Sequence, residues 1–589
     1  MKRTLLIALM LSVGCQGEPA PPNAEPAAIS APSSAPAAWV KTHEPFDFKW
    51  ISGALGEFAM PEIIGGGVAL IDYDGDRDLD VYFIQGGDLL AARNAAASNP
   101  HQNRLFRNDG QFRFVDVTEE TGTGDRRYGM GVAVGDIDND GDPDLYITNV
   151  GRNTMLRNDA GNFVDVTEET GTGDPGWGAS AVFFDADLDG DLDLFATNYL
   201  DWTPETELTC FNPLGGEDYC SPRNYLSPAI DVFYRNKGDG TFENATVDTG
   251  LNESAGTGLG VISADWTGDG YPDLFVANDG MPDFFWASNG DGRWSEHGMD
   301  RGCALDDEGI AKAGMGVDTD DIDDDGDLDL IVCNLTGESD SIFRNDGDYF
   351  IDMTARTGVR KSTRHATRFG LGWVDLNNDG WLDLFEANGR VMRSADAKTH
   401  DPYAQHNHLL QGDQRGRFTM VPHALDSTDA QPRTSRAAAF GDLNNDGRID
   451  VVICNRDAPA ILLENITNPE HHYVRIDVIN EHGRPDVGSL VELRLPDRTI
   501  TRPVQRAGSY MASNEPTVHI GIGPHERYEA LSVIRPDGTR QTWPDAAHIL
   551  NGQFRIEPPI STPSSAAHNA DAVAPKAPST EPDVGREEK

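Results

Sequence analysis

A chain of 589 residues with a formal net charge of −50 and 62 glycines has room for several domains, or for one large repeat ring with additions. So acidic a surface repels nucleic-acid phosphates and anionic lipid headgroups, which excludes both as direct partners. Much of the acid recurs as carboxylates at alternate positions around a glycine, a regularity that a merely solvated surface does not require.

In chain order, residues 1–14 read as an export signal: Lys2 and Arg3 precede the apolar run from Leu5 to Val13. Cys15 follows Gly14, which resembles a bacterial lipoprotein signal with Cys15 as the lipidated residue. Leu11 stands one place further upstream than the usual lipobox leucine, with Ser12 in that place. Residues 15–43 are rich in Pro, Ala and Ser, as a tether would be. No other stretch approaches the ~18 continuous apolar residues of a membrane span. The expectation is a bacterial outer-membrane lipoprotein, periplasmic or surface-facing, that meets the membrane only through its lipid.

From residue 72 a nine-residue pattern recurs seven times. Its fullest form is Asp136-Ile137-Asp138-Asn139-Asp140-Gly141-Asp142-Pro143-Asp144, flanked by short β-branched and apolar runs. Oxygens at positions 1, 3, 5 and 9 can converge on one hard cation. The seven candidate ligand sets are Asp72, Asp74, Asp76 and Asp80; Asp136, Asp138, Asp140 and Asp144; Asp185, Asp187, Asp189 and Asp193; Asp265, Thr267, Asp269 and Asp273; Asp321, Asp323, Asp325 and Asp329; Asp375, Asn377, Asp379 and Asp383; Asp442, Asn444, Asp446 and Asp450. An EF-hand would need a glutamate at position 12 and flanking helices. Position 12 here is Ile147, so the loop reads as a calcium hairpin between strands. Thr267 makes the fourth loop the weakest on this reading. Arg77, where the others carry glycine, makes the first geometrically irregular.

Between the loops lie further strand-like elements, such as Met155-Leu156-Arg157-Asn158 and Phe163-Val164-Asp165-Val166-Thr167. Four strands per unit and seven units predict an all-β, seven-bladed β-propeller over 44–465, a ring that protects its sheet edges by closing. The seventh unit runs out of strands at Asn465, and Phe46-Asp47-Phe48 is the expected strand that reaches back to complete it. The repeats resemble FG-GAP/VCBS repeats, the calcium-loop blades of integrin α-chain propellers. That resemblance implies up to seven structural Ca2+ ions and an adhesion or interaction role.

Cys210 and Cys220 flank an insertion in the longest repeat and are expected to form a disulfide in an oxidising compartment. Cys333 and Cys454 share position 13 of their loops, mostly a small buried site, and pairing of Cys303 is left open. Residues 470–557 alternate in short strands and resemble the ASPIC/UnbV domain of bacterial cartilage acidic protein-like chains, on Arg506-Ala507-Gly508-Ser509-Tyr510 and Pro536-Asp537-Gly538-Thr539. Residues 558–589 have no core pattern and read as a disordered tail.

No P-loop, nucleophile elbow or dinucleotide fingerprint stands in the chain. His365, Arg368, His406 and His408 read as surface or turn residues rather than ligands. The expected function is non-catalytic: an adhesion or interaction module for a protein or glycan at the cell envelope. The alternative is a lectin or enzyme acting on a glycan or polymer through the 201–230 insertion, whose Trp202, Tyr219 and Tyr225 could stack a sugar.

Overall fold

Each acidic loop joins two antiparallel strands, position 9 pairing with the residue just before position 1, as in Gly135 with Asp144 and Phe184 with Asp193. The computed structural model describes residues 38–89, 99–394, 399–422, 424–425, 431–467, 471–544 and 550–558. The signal, Cys15, most of the tether and the tail lie outside the described residues. Each hairpin extends into a four-stranded sheet; in the second these are Gly129–Gly135, Asp144–Asn149, Gly151–Asp159 and Asn162–Asp165. Among the described residues seven such sheets follow one another. Their first strands, from Val68–Ile71 round to Ser435–Gly441, touch in a closed cycle in which the last meets the first. The fold is an all-β propeller.

The first strands line the axis and are buried on both sides; all seven residues of Gly129–Gly135 are buried. Glycine permits their close approach. A Cβ on Gly131 would stand 2.4 Å from the Ala179 carbonyl oxygen, and one on Gly316 would stand 2.1 Å from that of Phe369.

The seventh sheet is completed from the N-terminus, but by different residues than Phe46-Asp47-Phe48. Val40–His43 pairs antiparallel with Ile461–Asn465, Val40 opposite Asn465 and His43 opposite Leu462. The tether therefore stops short of residue 43. Phe46 and Phe48 alternate like a strand because both face one core: Phe48 stacks on Phe83 at 4.6 Å, and Phe46 packs against Phe83, Phe106 and Phe114. Deleting 39–43 should leave Ile461–Asn465 as an open edge and lower the melting temperature by several degrees, whereas deleting 16–37 should leave the melting curve unchanged. Equal melting of the two truncations would show that the ring closes without this strand.

The C-terminal region is a β domain of two sheets. One places His472–Val478 between Val518–Gly523 and Gly552–Ile556; the other runs Thr499–Pro503, Leu490–Arg494, Ala530–Ile534, Arg540–Pro544. Val474, Ile476, Val491, Leu493, Ile520 and Val533 form its own core. It covers the acidic-loop face of the ring: Arg498 donates to Asp324 Oδ2 at 2.8 Å, Arg502 to the Asp321 carbonyl at 3.2 Å, and Arg484 to the Gly190 carbonyl.

From this domain residues 506–513 descend the axis of the ring. Ser509 exchanges backbone hydrogen bonds with Val317, and its hydroxyl donates to the Ala438 carbonyl at 2.7 Å. The Met511 amide donates to Ser180 Oγ at 3.1 Å, and Ala512–Ser513 adds a parallel strand beside Val68. Tyr510 is fully buried, edge-on to Phe369 at 5.0 Å, and its hydroxyl donates to the Ile64 carbonyl at 2.9 Å. Ile64 ends the short helix Pro61–Ile64, which enters from the other face. The axis is filled by the chain itself.

Candidate metal centres on the loop face

The loops share one backbone course whatever their sequence. Position 4 has positive φ in each, borne by Asn139 (60°), Leu188 (61°), Asp324 (59°), Asn378 (58°) and Asn445 (58°) or by glycine. Position 6 is again left-handed, and its amide donates to the position-1 carboxylate, as Gly141 does to Asp136 Oδ2 at 3.0 Å. The first loop is not the exception its sequence suggested. Gly75 takes position 4, and Arg77 adopts φ 74° and donates its amide to Asp72 Oδ2 at 3.1 Å. That hydrogen bond helps hold the arginine in a conformation usually left to glycine.

Four of the seven loops bring three carboxylate oxygens within 4.8 Å of one another: Asp72, Asp74 and Asp80; Asp136, Asp138 and Asp144; Asp185, Asp187 and Asp189; Asp321, Asp323 and Asp325. Asp76, Asp140, Asp193 and Asp329 complete these loops but stand outside the converging triads. Asp265, Asp269 and Asp273 do not converge so, and Thr267 donates instead to Asp265 Oδ1 at 3.4 Å. Asp375, Asp379 and Asp383, and Asp442, Asp446 and Asp450, likewise form no carboxylate triad of this kind among the described residues.

The converging loops fit a divalent cation. Asp72 Oδ1, Asp136 Oδ1 and Asp138 Oδ1 are buried with no hydrogen-bond partner, and a buried carboxylate oxygen without a partner is costly. Burial pushes the position-9 carboxyls Asp80, Asp144 and Asp193 up to about 8 and Asp329 up to about 9, with neighbouring carboxylates adding to the rise. A bound cation would offset both penalties by favouring the ionised forms. In three of these loops the arginine of the third strand stands over position 3: Arg157 lies 3.8 Å from Asp138, Arg235 3.9 Å from Asp187 and Arg344 3.8 Å from Asp323.

The asparagine of the third strand, which follows an arginine in four sheets and Glu464 in the seventh, makes contacts the sequence did not disclose. Its amide N–H meets the position-9 carboxylate of its own sheet, as Asn158 meets Asp144 Oδ1 at 2.7 Å. Its side chain donates to the position-2 carbonyl of the preceding loop: Asn158 to Tyr73 at 2.9 Å, Asn236 to Ile137 at 2.9 Å, Asn345 to Trp266 at 3.0 Å and Asn465 to Leu376 at 2.9 Å. Asn108 makes the same bond between the first sheet and the seventh loop, to the Leu443 carbonyl at 2.8 Å; Ser288 and Gly412 stand at this position in the fourth and sixth sheets. Each of these acidic loops is thereby tied to the next sheet. The recurrence of Arg-Asn in the sequence was the available signal, but not the neighbour it reaches.

Other expectations change on the far face. Trp202 and Tyr219 are buried, Trp202 against Trp177 at 5.3 Å and Tyr219 against Tyr403 at 5.7 Å. They supply no open ring for a sugar. Tyr225 donates its hydroxyl to Glu207. Cys210 and Cys220 are bonded, while Cys303, Cys333 and Cys454 are buried free thiols. Arg368 is fully buried and donates to Asp340 at 2.7 Å, and His408 rests on buried Glu386 at 2.8 Å, with burial pushing the imidazole down to about 4. Arg368 is not the surface residue its sequence context suggested and His408 is half-buried, whereas His365 and His406 are exposed.

A ring of four-stranded sheets with a repeated aspartate hairpin on one face defines a β-propeller built of acidic-loop repeats, and the comparisons with known proteins agree in kind. Segments 72–147, 136–196, 223–276 and 321–386 match the FG-GAP-like repeat, taking in the first six loops, and residues 480–551 match ASPIC and UnbV. The chain thus carries FG-GAP-like repeats in its ring and an ASPIC and UnbV domain after it. No curated protein matches it. Similar solved structures include an Agrocybe aegerita lectin specific for non-reducing terminal N-acetylglucosamine, at 16% identity over 70% of this chain and 90% of that one, with TM-score 0.35. YCF48 bound to a D1 peptide is 11% identical over 74% and 98%, with TM-score 0.39. The rhamnogalacturonan lyase YesW is 14% identical over 68% and 72%, with TM-score 0.34. Likeness at these values says nothing of function.

Proposed function

We propose that this chain is an exported, calcium-stabilised interaction module of the cell envelope, held to the outer membrane by lipid on Cys15, and that it binds a protein partner on the 201–230 insertion. The observation that carries the reading is the exposure of large apolar side chains on that insertion: Phe211 is 64% exposed, Leu214 70% and Leu226 86%. The C-terminal domain covers the loop face, whereas the insertion stands at the opposite end of the ring, open to a partner. The Cys210–Cys220 bond staples the segment and is itself at home in an oxidising compartment. Rigid apolar residues held on a scaffold are what protein interfaces use as anchors. Calcium is the ion the all-oxygen donor sets favour. Among the described residues no helix is long and apolar enough to cross a membrane.

The test is capture of envelope proteins on the immobilised chain. Replacing Phe211, Leu214 and Leu226 by serine should weaken capture of a specific protein by roughly tenfold or more without moving the melting temperature. Capture that survives those substitutions would place the binding surface elsewhere. Retention of a glycan in place of a protein would favour the lectin reading.

A further inference from the structure

The seventh loop, Asp442 to Asp450, keeps the course of the others, with Gly447 donating its amide to Asp442 Oδ2 at 2.7 Å. Its surroundings are different. Arg475, on the first strand of the C-terminal domain, donates from Nη1 to the same Asp442 Oδ2 at 2.8 Å, with the two side chains only 5% and 0% exposed. Its Nη2 pairs with Glu515, and Glu515 Oε2 accepts the amide of Asp442 at 2.9 Å. Arg448, at position 7, pairs with Asp446, which also accepts the side-chain N–H of Asn444 at 3.0 Å. The Asn444 amide nitrogen is thus turned toward the position-5 carboxylate, where a metal site needs an oxygen.

Among the described residues of the four converging loops, no arginine bonds to the carboxylate at position 1 or 5; in three of them the third-strand arginine stands 3.8–3.9 Å from position 3. Charge points the same way. The second loop carries five carboxylates, whereas the seventh carries three and receives two guanidinium groups. A calcium site with fewer uncompensated carboxylates binds more weakly, and a guanidinium supplies both charge and directed hydrogen bonds to carboxylate oxygens.

We infer that the seventh loop takes no calcium: the guanidinium of Arg475 replaces the ion, and the loop serves as an anchor of the C-terminal domain on the ring. Two further contacts fix the domain there. The ring of Tyr473 lies where a side chain on Gly447 would stand, 1.8 Å from that Cβ, and His519 Nε2 lies 3.1 Å from the Gly447 carbonyl. The glycine of the seventh loop therefore answers to two demands, its positive φ of 81° and the aromatic ring above it. The same strand that carries Arg475 leads the domain whose 506–513 segment fills the axis, so the cation-like contact also holds the plug.

The inference rests on the calcium reading of the other loops, and the test separates the two. The full chain, saturated with calcium, is weighed by native mass spectrometry, and hydrogen exchange is followed on His472–Val478 and on 506–513. Asp442→Asn should hold as many ions as the parent, while Asp136→Asn holds one fewer. Loss of an ion in Asp442→Asn overturns the inference. Arg475→Gln should speed exchange in both segments by roughly tenfold, with Arg475→Lys intermediate because it keeps the charge but not the planar fork. Unchanged exchange in Arg475→Gln overturns the anchor. A parent that carries no ion in any loop defeats the calcium reading instead, and the anchor is then decided by exchange alone.

Discussion

Excess chelator should lower the melting temperature of this protein by roughly ten degrees or more at neutral pH, because several ions that bind only the folded ring each add stability by mass action. A site saturated a thousandfold contributes about 4 kcal/mol, and four loops converge their carboxylates. The effect should also depend on pH. In the metal-free fold, burial raises Asp80, Asp144 and Asp193 to about 8 from the ordinary 3.8. A carboxyl whose folded value is raised costs stability as pH climbs from about 4 through 8, and that stability returns on acidification. With calcium bound the ionised forms are the ones held. The gap between melting temperatures in calcium and in chelator should therefore widen from pH 5 to pH 8. Superimposed curves at pH 8 would contradict the metal role, and a gap that does not change with pH would contradict the part assigned to the buried carboxyls.

Tyr510→Ala should be the most damaging single substitution on the axis. The ring is fully buried, packs on Phe369, and its hydroxyl satisfies the Ile64 carbonyl. Truncating a buried aromatic costs about 3–5 kcal/mol, more where a hydrogen-bond partner is left alone. Because the plug bonds to first strands from across the ring, denaturant melts should show both domains losing stability together. Tyr510→Phe, which keeps the ring and loses only the hydroxyl, should cost about 1–2 kcal/mol. An Ala variant that melts within a degree of the parent would show that the axis is filled without need of this segment.

Much of this architecture was legible because it repeats. Seven copies of one carboxylate pattern show the hairpins, and strands counted between them give the sheets. The unfinished seventh unit called for a strand from the N-terminus. What was not legible depends on contacts far apart in sequence. Phe46 and Phe48 carry the alternation of a strand, yet their rings fill a core, while the less patterned Val40-Lys41-Thr42-His43 makes the ladder. Nothing local in Ser509-Tyr510-Met511 shows that it threads a ring, since its partners Ser180, Val317 and Ala438 become neighbours only once the ring has closed. The aromatics of the insertion were visible, but composition does not tell which of them turn inward. Trp202 and Tyr219 do, and Phe211 does not.

The central claim is that the hairpin loops hold calcium, and equilibrium dialysis of the purified full chain against labelled calcium tests it most directly. The account predicts saturable binding of at least four ions per chain, one for each converging triad, with one lost when Asp136 and Asp138 are both replaced by asparagine. A chain that retains no calcium at millimolar free ion, or whose uptake is unmoved by that double substitution, would contradict it.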